Sequence, residues 1–185
     1  MAKTKRGINT TEEQLHVTIP RNVAVALYHF TDYFKGFEKV EAVKQIFGEN
    51  TEKALSELMV EFAGWRGYMG VSDNDGHLIA SASYLCTGNI TDIYLDIIHE
   101  LVHVRQFREG KRLFDSDYTY INRPTEREAY SCAVQEARRL GLSDEKICEY
   151  LKTEWMSDKD LKRLAEAMNV KCPDMPKAKS KKARR

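Results

Sequence analysis

One segment in the middle of the chain constrains the fold most, because it predicts a long helix with a broad apolar face. Gly88 and Asn89 interrupt the residues before it, Thr91 can cap a helix, and Gly110 would end it. Its apolar side chains recur at three- and four-residue intervals, as one buried face requires: Ile93, Ile97, Ile98, Leu101, Val104 and Phe107. The sequence therefore predicts a largely buried helix over residues 91–108.

The patterns around this helix predict an α+β fold that is mostly helical, with a small β-hairpin. The turn-forming residues between Ser72 and Gly76 tolerate left-handed backbone and separate two strand-like runs. The predicted elements are an extended segment at 15–19, helices at 21–34, 38–47 and 51–62, strands at 65–71 and 77–85, and helices at 124–140, 144–154 and 158–168. Pro124 suits the first turn of its helix, and Ser143 and Ser157 can cap the last two.

Length and composition predict one domain with loose ends. The 185 residues are 42% hydrophobic, enough to bury a core. We expect a flexible N-terminus at 1–14, a single domain at 15–170 and a disordered basic tail at 171–185. The tail holds seven Lys or Arg residues against one acidic residue, Asp174. The composition of this tail favours a solubilising role over a weak contact with nucleic acid or an acidic partner.

Charge and cysteine usage limit partners and location. Twenty-nine basic and 28 acidic residues nearly cancel, so no overall field favours nucleic acid or a membrane as the principal partner. No apolar run approaches the roughly 18 residues of a membrane span. None of the four cysteines forms a C-x-x-C pair: Cys86, Cys132, Cys148 and Cys172. We expect reduced thiols and a cytoplasmic location, and the sequence carries no signal for oligomeric state.

The segment His99-Glu100-Leu101-Val102-His103 is an H-E-x-x-H sequence within the predicted helix. Residues four apart lie on the same helical face, so the two imidazoles can bind one Zn²⁺ at about 2.0–2.1 Å. Glu100, one position round from His99, can then act as a general base toward a water on that metal. This pattern therefore predicts a zinc site with His99 and His103 as ligands and Glu100 as the catalytic base.

Chance and core packing explain the pattern poorly. The His and Glu content predicts about 0.01 matches to H-E-x-x-H in a chain of this length. Two histidines and a glutamate on a helix of Ile, Leu and Val would also be costly to bury unless they are mutually satisfied or metal-bound. Metal binding is therefore the favoured interpretation of this segment.

A catalytic zinc site needs a third protein ligand and leaves a fourth position open. The acidic candidates downstream are Glu109, Asp115, Asp117, Glu126 and Glu128. The first three follow His103 so closely along the chain that the backbone has too little length to bring them back to it. Glu126 and Glu128 stand at the start of the next helix, after a connection long enough to fold back, so both are candidates.

The motif and the segment Arg123-Pro-Thr-Glu126-Arg-Glu128-Ala-Tyr130 together resemble the gluzincin branch of zincin metallopeptidases. The predicted order of helix, hairpin, motif helix and glutamate helix over 51–140 is similar to the minigluzincin core and to ImmA/IrrE-type proteases. The resemblance covers about half the chain. It implies a zincin-like fold with a small sheet packed on the motif helix, and a cytoplasmic zinc-dependent peptidase acting on peptides or proteins.

The resemblance also implies roles for single residues. In gluzincins the third ligand is a glutamate on the helix after the motif, which makes Glu126 the first choice and Glu128 the fallback. Thermolysin-like members carry an aspartate four residues after this ligand to orient a histidine, where this chain has Tyr130. Asp96 and Gln106, each one helical turn from a ligand histidine, are candidate replacements.

The remaining catalytic requirements are a donor to the developing oxyanion and a place for the substrate. Tyr118, Tyr120 and Arg123 lie on the connection that must cross the site, so each is a candidate donor. The resemblance implies that an extended peptide adds to the outer edge of the hairpin, which we place at 77–85.

Two alternatives to a peptidase stay open. The zinc site could be structural or vestigial in a regulatory protein, since the segment 15–47 resembles a ribbon-helix-helix DNA binder and the basic tail could assist. DNA readers usually show a more positive domain, which counts against this. A zinc hydrolase acting on a non-peptide substrate would use the same atoms.

Overall fold

The computed structural model describes residues 15–65 and 67–173. Helices and a small mixed sheet of four strands build an α+β fold, which confirms the predicted class. The predicted flexible N-terminus at 1–14 and the tail from residue 174 onward lie outside the described residues. One domain over 15–170 stays a prediction; by its internal contacts the chain forms two compact units, Met1–Gly141 and Leu142–Arg185.

Among the described elements, the strands all lie in the first half of the chain, and only helices follow β4. None of the helices in the described ranges is long and apolar enough to cross a membrane. In chain order the elements are β1 (Leu27–His29), α1 (Phe30–Tyr33), α2 (Glu41–Phe47), α3 (Thr51–Ser56), β2 (Met59–Ala63), β3 (Met69–Val71), β4 (Leu78–Ser81), α4 (Ala82–Thr87), α5 (Ile90–Arg108), α6 (Pro124–Arg139), α7 (Asp144–Leu151) and α8 (Asp158–Ala167).

The sheet has the strand order β1-β2-β4-β3. Strands β3 and β4 form the predicted antiparallel hairpin, while β2 runs parallel to β4 and antiparallel to β1. Strand β4 is therefore hydrogen-bonded on both sides. The prediction that residues 77–85 form the outer edge is wrong, because the edge strands of this sheet are β1 and β3.

Two predicted helices are partly strand, because their apolar residues fit both periods. Leu58, Val60 and Phe62 alternate along the chain and are all buried, so the segment after Ser56 continues as β2 rather than as a helix to residue 62. The predicted helix at 21–34 is likewise replaced by β1 and the short helix α1. Pairing with β2 decides the conformation of β1.

Three other boundaries differ from the prediction, two of them because of side-chain caps. The Ser81 hydroxyl accepts from the Tyr84 N–H, so β4 ends at Ser81 and helix α4 takes the rest of the predicted strand. Helix α5 begins before Thr91, because the Asn89 side chain caps it. The helix predicted at 38–47 begins at Glu41, after a 3₁₀ turn at Phe37–Lys39.

Helix α5 lies in the core of the first unit. Ten of its side chains from Ile93 to Val104 are buried, and it packs along α6 and against β3. Gly76 in the hairpin turn has φ +76°, and a Cβ there would stand 2.3 Å from the Phe107 ring. Glycine therefore lets the hairpin turn reach the C-terminal end of the motif helix.

The second unit consists of α7 and α8, whose caps confirm the prediction for Ser143 and Ser157. Each serine hydroxyl accepts a backbone N–H of the first turn, from Lys146 and Asp160 respectively. Cys148 and Cys172 form a disulfide across 24 residues, so the prediction of reduced thiols is wrong for this pair. Short-range spacing could not reveal it, because the chain folds back between the two cysteines.

Candidate metal centre

The motif helix α5 and the helix α6 bring three ligand groups to one point. Asn89 caps α5 by accepting from the backbone N–H groups of Thr91 and Asp92, and residues 99 and 103 then fall on one face. The side chain of Glu126, in the first turn of α6, meets that face. His99, His103 and Glu126 are each 5–6% exposed and form a group that could hold a metal ion.

The separations of the three facing atoms suit a single ion. The Nε2 atoms of His99 and His103 are 3.1 Å apart, and the Glu126 Oε2 lies 3.4 Å from the first and 3.5 Å from the second. Ligand atoms of one tetrahedral zinc stand about 3.3 Å apart when each bond is about 2.0–2.1 Å. The donor set of two imidazoles and a carboxylate is also one that zinc binds.

An unsatisfied buried atom supports the same interpretation. Among residues 15–65 and 67–173, Glu126 Oε2 is buried and has no hydrogen-bond partner, although it faces two imidazole nitrogens. Burial alone would raise the pKa of Glu126, but contacts with His103 and His99 outweigh it and hold the pKa at about 2. The carboxylate is therefore ionised and available to a cation.

Glu100 shares the electrostatic environment of the three ligand groups. Burial raises its pKa to about 8; His103 opposes this rise, and the nearby carboxylates of Glu126 and Asp96 add to it. The predicted base thus lies within electrostatic reach of His103 and Glu126.

Glu128, the fallback ligand, points away from the three ligand atoms. Its carboxylate accepts from the Arg105 guanidinium, the Gln106 amide and the Lys111 ammonium. Gln106 is fully buried between the helices and also contacts His103. Of the two glutamates that the sequence leaves as candidates, the structure brings only Glu126 to the histidines.

The connection between α5 and α6 places the three predicted donors differently. The Tyr120 hydroxyl lies 3.0 Å from the Tyr130 hydroxyl, and the Tyr130 ring packs at 4.5 Å against His99. Tyr118 is 46% exposed. Arg123 donates to the Asp115 carbonyl and lies over the Tyr120 ring. No described contact joins Tyr118 or Arg123 to the three ligands.

Two residues near the site have partners that sequence reasoning did not identify. Tyr130 contacts both His99 and Tyr120, and its only signal in the sequence was its position four residues after Glu126. Asp96 accepts from the Tyr84 hydroxyl at 2.6 Å. Among the described residues His99 Nδ1 has no hydrogen-bond partner, so Asp96 does not orient His99 as the aspartate of thermolysin-like proteins orients a histidine.

Comparisons with known proteins matched the chain to no family model, no curated protein and no solved structure. The interpretation of the site thus depends on its own residues and their geometry.

Proposed function

We propose that the protein is a zinc-dependent peptidase of zincin type, with His99, His103 and Glu126 as metal ligands and Glu100 as the base. The observation that supports it best is the convergence of two Nε2 atoms and one carboxylate oxygen within 3.1–3.5 Å. Among the described residues this group has three members. Structural zinc sites hold four protein ligands, whereas catalytic sites hold three and leave one position open.

The residues of the chain divide the chemistry between them. Zinc, when bound, supplies a Lewis acid that polarises a carbonyl and activates a water toward attack. Glu100 accepts a proton from the attacking water and returns it to the leaving amine. Tyr120 donates a hydrogen bond to the developing oxyanion, and Tyr130 holds the Tyr120 hydroxyl.

The outer edge of β3 is the proposed place for a peptide substrate. Ser72 N–H donates to the His77 carbonyl and Ser81 N–H to the Tyr68 carbonyl. By the alternation of an antiparallel pair, the peptide groups of Met69 and Val71 then face away from β4. Because β3 also packs on the motif helix, a strand added at this edge would run beside the site.

The test combines zinc analysis with hydrolysis of a mixed fluorogenic peptide library. We expect the wild-type protein and the Glu100→Gln variant to hold about one zinc per chain. Hydrolysis by Glu100→Gln should be lower by roughly 10²- to 10⁴-fold. The matched control is Glu57→Gln, which alters an exposed glutamate paired with Lys53 and should behave as wild type.

Three results would contradict the proposal. A protein without zinc would remove the metal site altogether. Zinc in both forms without hydrolysis by either would favour a structural site in a regulatory protein, and salt-dependent nucleic-acid binding would strengthen that alternative. Hydrolysis confined to non-peptide amides or esters would keep the mechanism and change the substrate class.

A further inference from the structure

We infer that Gln106 and Glu128 position the ligand His103 and fix the spacing of the two ligand-bearing helices; this rests on the proposed metal site. Gln106 lies on α5 one turn after His103 and is fully buried. Its Oε1 is 2.8 Å from His103 Nδ1, and its Nε2 donates to the Thr125 carbonyl at 3.0 Å and to Glu128 at 2.8 Å. One amide thus joins a ligand on α5 to two residues of α6.

The chemistry of its partners determines the orientation of this amide. The Thr125 carbonyl and the Glu128 carboxylate can only accept hydrogen bonds, so the amide NH₂ must face them. The Gln106 carbonyl oxygen must then face His103. The hydrogen-bond partners alone therefore assign the amide nitrogen and oxygen of Gln106.

This orientation fixes the tautomer of His103. An amide oxygen can only accept, so His103 Nδ1 must carry a proton to bond to it. In a neutral imidazole the Nε2 lone pair is then free, and Nε2 is the atom that faces His99 and Glu126. Gln106 therefore holds the ligand atom in the form that binds a metal.

Glu128 anchors the outer end of this chain of contacts. Its carboxylate is held by Arg105 at 2.5 Å and by Lys111 at 3.3 Å while it accepts from Gln106. Thr125, the other acceptor, directly precedes the ligand Glu126. Losing the amide would release His103 and let the first turn of α6 shift, so the glutamate ligand would lose its position as well.

The test uses Gln106→Met, which is close to the native side chain in size but cannot make these hydrogen bonds. The matched control is Gln135→Met, which alters an exposed glutamine on α6 that donates to the Ser131 hydroxyl. Zinc affinity is measured by competition with a chromophoric chelator. We expect Gln106→Met to bind zinc about 10- to 100-fold more weakly than wild type, and Gln135→Met to be unchanged.

A second measurement does not require zinc. Long-range ¹H–¹⁵N spectra of the metal-free protein report which nitrogen of His103 is protonated. They are recorded at alkaline pH, because burial lowers the pKa of His103 but contacts with Glu126, Glu100 and Gln106 outweigh it and raise that pKa to about 9. We expect the Nδ1–H form in wild type and Gln135→Met, and a mixture of forms in Gln106→Met. In Glu128→Gln the amide contact is kept without the full charge, so this variant should retain the Nδ1–H form and weaken zinc binding by less than about 10-fold.

The outcomes separate this inference from the proposed function. If the wild type binds no zinc but Gln106→Met still loses the Nδ1–H form, the positioning role stands and the metal site fails. If zinc binds and both Gln106→Met and Gln135→Met match wild type within about twofold, Gln106 is only a packing residue and the inference is overturned. An unchanged tautomer in a folded Gln106→Met would overturn it too.

Discussion

The two histidines of the motif lie four residues apart on one helix, yet they are held in different ways. His103 bonds through Nδ1 to the buried amide of Gln106. The Nδ1 of His99 is buried without a hydrogen-bond partner among residues 15–65 and 67–173, and the His99 ring packs edge-to-face against Tyr130 at 4.5 Å. One histidine is therefore held by polar contacts and the other by aromatic packing.

The difference shows how a few residues can both hold the two imidazoles and position the proposed oxyanion donor. A polar partner fixes both the ring and its tautomer, whereas an aromatic neighbour restricts the ring and leaves the tautomer unspecified. Because Tyr130 contacts His99 through its ring, the hydroxyl of Tyr130 is available to Tyr120. The His103 side thus supports the proposed metal site alone, and the His99 side supports both that site and the proposed oxyanion donor.

Replacing either histidine should have the largest effect, because both are proposed to be ligands whatever holds them. Structural zinc sites in small proteins bind with roughly 10–16 kcal/mol, and by that scale loss of one ligand in three costs about 4 kcal/mol, or on the order of 1,000-fold in affinity. We expect similar losses for His99→Ala and His103→Ala in the chelator competition.

His77→Ala is the matched control for these two variants. His77 bonds to Asp75 and Glu61 at the hairpin and should leave zinc affinity unchanged. A loss for His103→Ala alone would break the comparison, since His99 would then be a core histidine that only neighbours the metal.

Removing the Tyr120 hydroxyl should have the next largest effect, and only on the chemical step. Loss of one oxyanion donor lowers kcat by about 10²- to 10³-fold. We therefore expect Tyr120→Phe to lower kcat on a cleaved peptide by about 100-fold and to leave zinc affinity unchanged. Tyr28→Phe, on strand β1, is the control. A parallel loss of zinc would instead make Tyr120 part of the support of the metal site.

Tyr130→Phe should have a smaller effect, because it keeps the ring on His99 and removes only the bond to Tyr120. One hydrogen bond contributes about 0.5–1.5 kcal/mol, which corresponds to roughly a 2- to 10-fold loss in kcat. In the Tyr120→Phe background the same change should have no further effect, which a double-mutant cycle measures. Additive losses would show that the Tyr130 hydroxyl acts independently of Tyr120.

The parts of the site that lie on one regular helix were predictable from the sequence. Residues 99 and 103 share a face because a helix places every fourth residue there, and the apolar residues from Ile93 to Val104 predict the burial of that face. The choice between Glu126 and Glu128 was not predictable from spacing alone. It depends on Arg105, Gln106 and Lys111, which draw Glu128 outward.

Other parts depend on pairing between distant segments, which local patterns do not contain. Leu55, Leu58 and Phe62 fit a helix, yet Leu58 and Phe62 also alternate with Val60, and pairing of β2 with β1 and β4 selects the strand. The disulfide between Cys148 and Cys172 is equally non-local. The contact of Tyr130 with Tyr120 arises from the path of the connection before α6.

Asn89→Ala should have the smallest effect on the site, because it acts at the start of the helix that both histidines share. The Asn89 side chain accepts from Thr91 N–H at 2.9 Å and from Asp92 N–H at 3.3 Å. Its loss should lower the free energy of unfolding by about 1 kcal/mol and the melting temperature by roughly 2–4 °C. Zinc affinity should stay within about twofold, since the ligands lie two turns or more from the cap.

Thr91→Ala is the matched comparison for this change. The sequence alone places the cap at Thr91, whereas the hydrogen bonds place it at Asn89, so Thr91→Ala should cost clearly less than Asn89→Ala in thermal melts. If Thr91→Ala costs more, helix α5 begins where the sequence predicts. If Asn89→Ala weakens zinc binding strongly, the start of the helix helps to set the site, and the contrast between the two histidines would no longer depend only on their immediate neighbours.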